Sequence, residues 1–226
     1  MFDIPAEAGG DTTAYSVRGK AMFANDKPYD IIVYDLQEDF SAKAIVVTNT
    51  SGITEATSPI VLVDSIAEGQ NEDFDAIDIV YGIENGNNVE LMSSDKSVFM
   101  KGDKKLAQGD IFQYSTNAKG EVDKITLLFD ADTKTTEFTK TISDDLVTVY
   151  GKVTKKFSDS VNVSVNGTVK NYSTAGAYVY EYNSQRQNNN TNVVTAGDIE
   201  VYEEGNEVRL FIKISEDRVT EMVIVR

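Results

Sequence analysis

Three short signals occur twice in the same order along this chain, and this duplication constrains the fold more than any other feature. Val80-Tyr81-Gly82, Gly109-Asp110-Ile111 and the run Val122–Phe129 form the first series. Val149-Tyr150-Gly151, Gly197-Asp198-Ile199 and the run Val219–Arg226 form the second, with wider spacing. A β-rich unit that recurs without any recurring reactive side chain points to a scaffold. If the copies are equivalent, Tyr81 and Tyr150 lie on corresponding strands and the two Gly-Asp pairs at corresponding strand starts. Leu127 and Ile224 then share the closing strand, and the extra residues of the second copy fall in a loop around Gln185–Asn192.

The local pattern agrees with a β protein. Tyr29–Tyr34, Ala42–Val47, Ile60–Val63 and Ile77–Tyr81 are short β-branched or aromatic runs bounded by polar turns. No long stretch keeps a 3.6-residue apolar period with capping residues. Val161–Val165 alternates, Asn166-Gly167 supplies the two positive-φ residues of a type I′ turn, and Thr168–Tyr172 returns. Asn85-Gly86 and Gly205-Asn206 mark two more hairpins. The expected class is all-β: two small antiparallel β-barrel or sandwich units in tandem, or three if residues 12–48 form one of their own, since closure hides sheet edges. Residues 1–11 read as a linker or tail and 12–135 as a first β-domain, with a partial unit at 12–48 and the first repeat unit at 59–130. Residues 146–226 read as the second repeat unit, after a polar stretch at 130–145.

Composition narrows the chemistry. With 226 residues, 41% hydrophobic, the chain can bury a sizeable core. It has no cysteine, no histidine and no tryptophan. Disulfides, thiolate nucleophiles and Cys-ligated zinc are therefore excluded, as is the commonest general base. The net charge of −16 disfavours nucleic acid and anionic membranes as partners. No apolar run reaches the roughly 18–20 residues of a membrane-spanning helix, so membrane insertion is not expected. An export signal is not among these residues.

The stretch Lys104–Tyr114, followed by Asn117–Asp130, resembles a pattern in surface proteins of Clostridia-like Gram-positive bacteria, often those that carry S-layer homology domains. The pattern is a leucine, Gly-Asp with an apolar residue, a strand, a glycine turn and a closing apolar strand. Ser58–Ile66, Val80–Gly86 and Val89–Leu91 look like the start of the same module. The likeness covers residues 59–130 well and 147–226 loosely. It implies an extracellular location at the cell surface of a Gram-positive bacterium, with other surface-protein subunits or a cell-wall polymer as partners.

Candidate binding residues are few. Asp73, Asp75 and Asp78, and separately Asp130 and Asp132, offer oxygen ligands for calcium, although neither set has the EF-hand spacing and both also read as solvated acidic loops. No other cofactor is expected. Tyr178, Tyr180 and Tyr182 alternate, so they project from one face of a strand, either as a sugar platform or as a half-buried ladder. With 37 acidic residues, some carboxylate pair will meet the spacing of a glycosidase by chance, so that criterion selects nothing. The leading expectation is a non-enzymatic structural or spacer module. A carbohydrate- or host-binding adhesin domain is the alternative, and an accessory region of a glycoside hydrolase comes behind both.

Overall fold

A computed structural model describes residues 2–3, 16–17, 31–36, 42–47, 58–71, 74–117 and 119–226. Among them the protein is all-β, and its helical turns are two three-residue 3-10 turns, Ala131–Thr133 and Ala196–Asp198. The strands are β1 (Phe2–Asp3), β2 (Ser16–Val17), β3 (Ile31–Leu36), β4 (Ala42–Val47), β5 (Val61–Gln70), β6 (Ala76–Glu84), β7 (Asn87–Ser93), β8 (Met100–Lys101), β9 (Lys104–Lys105), β10 (Ile111–Asn117) and β11 (Val122–Phe129). They continue with β12 (Phe138–Ser143), β13 (Leu146–Lys156), β14 (Ser160–Val165), β15 (Thr168–Ser173), β16 (Tyr178–Tyr182), β17 (Thr191–Val194), β18 (Arg209–Ser215) and β19 (Arg218–Val225). The first sheet runs β3-β4-β1-β2-β10-β5-β6-β7 with β11 beside β10, and the second runs β15-β14-β13-β18-β19-β16-β17 with β12 beside β13. Phe2–Asp3, in the stretch read as a tail, pairs with β2 and β4. β12, in the stretch read as a polar connection, pairs with β13.

The duplication exists, but in the connectivity rather than in the signals that suggested it. Strands β7-β6-β5-β10-β11 lie in the same order as β15-β14-β13-β18-β19. In each set a three-stranded meander is joined through its first strand to a later hairpin. Leu127 on β11 and Ile224 on β19 therefore share the closing strand, as expected. The Val-Tyr-Gly signals do not correspond: Gly82 is on β6, the second strand of its meander, and Gly151 is on β13, the first. Both glycines meet the same steric demand. A Cβ on Gly82 would sit 2.6 Å from the Leu62 carbonyl oxygen, and one on Gly151 would collide with the Ser164 carbonyl. Each lies where the first two strands of its meander cross closely beside a register shift. Gly109-Asp110 leads directly into β10, whereas Gly197-Asp198 lies in a 3-10 turn well ahead of β18. The extra residues of the second set are not confined to a loop, since they build β16 and β17, with β16 parallel to β19.

Alternation along these strands fills three cores. Val61, Val63, Val80, Phe99 and Phe112 pack on one face of the first sheet. Val149, Val153, Val163, Leu210, Ile212 and Ile224 pack on one face of the second. Between the sheets, Ile60, Leu62, Ile111 and Phe129 meet Tyr150, Tyr180, Tyr182, Phe211 and Val223 in a shared core. Burial on both faces explains why Leu210–Ile212 and Met222–Val225 read as unbroken apolar runs. The ring of Phe129 lies 4.7 Å from that of Tyr150 and 6.0 Å from that of Phe211, in tilted contacts across the sheets. Among the described residues neither sheet closes into a barrel. β7 and β11 approach only as far as the Ser93 hydroxyl donating to the Val122 carbonyl at 2.7 Å.

Candidate functional site

The tyrosine stripe of β16 does share one face, and that face looks into the gap between the sheets. Tyr182 is buried against Gly109, whose φ of +90° and lack of a Cβ leave room for the ring. Tyr180 is fully buried, and its hydroxyl accepts from the Gly86 amide at 3.3 Å. Tyr178, one step beyond the shared core, remains 48% exposed with its ring against Gly86. Two of the three residues of the expected sugar platform are thus intersheet packing, and Tyr178 alone reaches solvent. Burial pushes the Tyr180 phenol well above its usual range, with the nearby Glu221 carboxylate adding to it.

Tyr178 stands on the wall of an open cleft of about 970 Å3. One side is β15 with the turn that follows it, through Asn171, Tyr172, Ser173 and Gly176. The other is the β18–β19 hairpin, from Lys213 through Glu216, Asp217 and Arg218 to Glu221, and Pro59 and Asn85 of the first sheet complete the lining. The groove exists because β15 ends its sheet and β16 joins β19 only from Glu221 onward, leaving Arg218–Thr220 with a partner on one side alone. A register shift after Lys213 places Thr220 outside the ladder, and its buried hydroxyl has no hydrogen-bond partner.

The floor is a buried ion pair. Lys213 and Glu221 are directly opposed on β18 and β19, 3.0 Å apart, with side chains 2% and 3% exposed. Glu221 also accepts from the Ile60 amide at 3.1 Å, and Lys213 donates to the Ser58 carbonyl, so the pair ties the second sheet to the start of β5. Burial pushes the Glu221 carboxyl up, opposed by the Lys213 ammonium. Sequence reasoning missed both residues, although a signal was present. Each is the one charge in a run that is otherwise apolar, and a charge on a strand buried on both faces must find a partner.

At the proposed calcium ligands the structure places lysines. Asp130 lies 2.6 Å and Asp132 3.2 Å from the Lys101 ammonium, which also contacts the fully buried Asp110 at 3.0 Å. Burial opposes the charge on Lys101, but the surrounding carboxylates outweigh it and hold its pKa above the usual lysine value. Asp78 is buried 2.9 Å from Lys105, while Asp75 is exposed at a turn, its amide bonded to Asn71. Asp73 lies outside the described residues. Among the described residues no three acidic side chains converge to hold a metal. Asp110 and Asp198 both bond their own turns, Asp110 accepting from Ala107 at 2.7 Å and Asp198 from Thr195 at 2.8 Å. This local demand accounts for the Gly-Asp of both Gly-Asp-Ile signals.

A second cleft, of about 490 Å3, contains Arg226 held by Glu181 at 2.8 Å and Glu200 at 2.6 Å, with Arg186 on Glu181 at 2.7 Å. Its charges satisfy one another. No family model matches the chain, and no curated protein matches it.

Proposed function

We propose that this protein is a non-enzymatic structural module, a rigid spacer or lattice element of a bacterial cell-surface protein. The observation that carries the reading is the shared core, which joins two sheets of like connectivity across Phe129, Tyr150, Tyr180 and Phe211. A scaffold benefits from two β-units that cannot hinge, and a broad intersheet contact favours that over the freely moving arrangement usual between domains. The buried lysines Lys101 and Lys213, and the half-exposed Lys105, are each engaged by carboxylates in structural pairs. The extracellular placement rests on the pattern in residues 59–130. Fractionation of the source organism tests it: the protein is expected in the envelope or secreted fraction, and recovery from the cytosol alone would remove the reading.

A further inference from the structure

We infer that the groove between β15 and the β18–β19 hairpin is a binding site for a neutral oligosaccharide, with Tyr178 as its stacking platform. Its volume of about 970 Å3 is at the upper end of the roughly 300–1,000 Å3 typical of small-ligand sites. The lining combines one exposed aromatic ring with amide, hydroxyl and carboxylate groups, which suits a molecule with an apolar C–H face and a hydroxyl rim. Tyr178 is held on a rigid strand and braced against Gly86, so presenting the ring costs little ordering.

The rim carries an independent sign of function. Hairpins at Asn85-Gly86 and Asn166-Gly167 use the residues that a positive-φ turn favours. The β18–β19 turn instead places Glu216 at φ +47° and Asp217 at φ +62°, a conformation a glutamate side chain rarely adopts. Strain of this kind clusters where a side chain is needed for something other than folding. Here it sets two carboxylates, neither in an ion pair among the described residues, on the lip of the groove. Carboxylates accept from sugar hydroxyls. The edge of β19 at Arg218–Thr220, which β16 does not reach, adds backbone polar capacity in the same wall.

Charge selects the ligand class. Lys213 is neutralised by Glu221, and Arg218 stands beside Glu216 and Asp217. On a chain of net charge −16 this rim disfavours phosphorylated or uronic polymers and admits neutral hexose or N-acetylhexosamine chains.

The test is a glycan array carrying neutral and anionic oligosaccharides, followed by calorimetric titration of the intact protein with cellotetraose, maltotetraose and chitotetraose. At least one neutral glycan is expected to bind. Tyr178→Ala should weaken it tenfold or more at an unchanged melting temperature, while Tyr178→Phe, which keeps the ring, stays within about threefold of wild type. Absence of neutral-glycan binding by wild type, a preference for anionic glycans, or full binding by Tyr178→Ala would each overturn the assignment. The site stands apart from the scaffold reading, because a negative array leaves the fractionation result untouched and a cytosolic location leaves the groove intact.

Discussion

At the scale of single residues, the buried charges decide most. Removing one member of the Lys213–Glu221 pair leaves the other buried without its counter-charge. Glu221→Leu is expected to cost about 3–5 kcal/mol, and the double variant Lys213→Met/Glu221→Leu much less, since an apolar pair of similar volume avoids desolvation altogether. Urea unfolding of the two single variants and the double variant checks this, and additive losses would contradict it. The Lys101 cluster sets a pH dependence. Burial tends to raise the Asp130 carboxyl, but hydrogen bonding to Lys101 and to the Asp132 amide holds it below its ordinary value. A depressed carboxylate stabilises the fold above the unfolded pKa near ~4, and that contribution is lost as pH falls through the folded value. Asp130→Asn should therefore flatten the acid limb of stability against pH below about 4 and leave the shape near neutrality unchanged. Because lysines already occupy the carboxylate clusters, melting curves in chelator and in millimolar calcium are expected to coincide, whereas binding to the folded state would raise the midpoint.

At the scale of strands and turns, the β18–β19 hairpin offers a direct comparison within one molecule. Replacing its strained pair by Glu216→Asn/Asp217→Gly, the dipeptide used at Asn166-Gly167, should raise stability by roughly 1 kcal/mol. Thermal unfolding measures that gain, and an unchanged or lower midpoint would mean the turn is not strained. This is also the scale at which the sequence was most and least legible. The hairpin at Asn166-Gly167 was readable because Asn-Gly and strict alternation act locally. The mismatch of the two Val-Tyr-Gly signals was not, because Gly82 and Gly151 answer to backbone carbonyls on neighbouring strands that sequence spacing does not reveal. The start of β17, Thr191-Asn192, fell in the expected loop around Gln185–Asn192 because it follows a run of asparagines, and its pairing with β16 is a tertiary choice. Tyr178, Tyr180 and Tyr182 were correctly placed on one face, but alternation does not say whether that face meets solvent or a second sheet.

At the scale of the whole molecule, the shared core predicts how the protein comes apart. With Phe129 packed across the gap against Tyr150 and Phe211, neither sheet is expected to lose its structure while the other keeps its own. Calorimetric and van't Hoff enthalpies should agree, and Phe211→Ala, expected to cost about 3–5 kcal/mol, should shift one transition rather than split it into two. Two resolved transitions would show that the sheets are energetically separate.

The same core makes the two halves poor companions for copies of themselves. Separated from its neighbour, the second sheet would present Tyr150, Tyr180, Phe211, Val223 and Val225 to water as one continuous sticky face, far from the scattered apolar residues that soluble surfaces tolerate. Two sheets of matching strand order are thus mutually dependent. Each half acts as the other's solubiliser, and a chain shortened to either one would be expected to precipitate or to pair with its own kind.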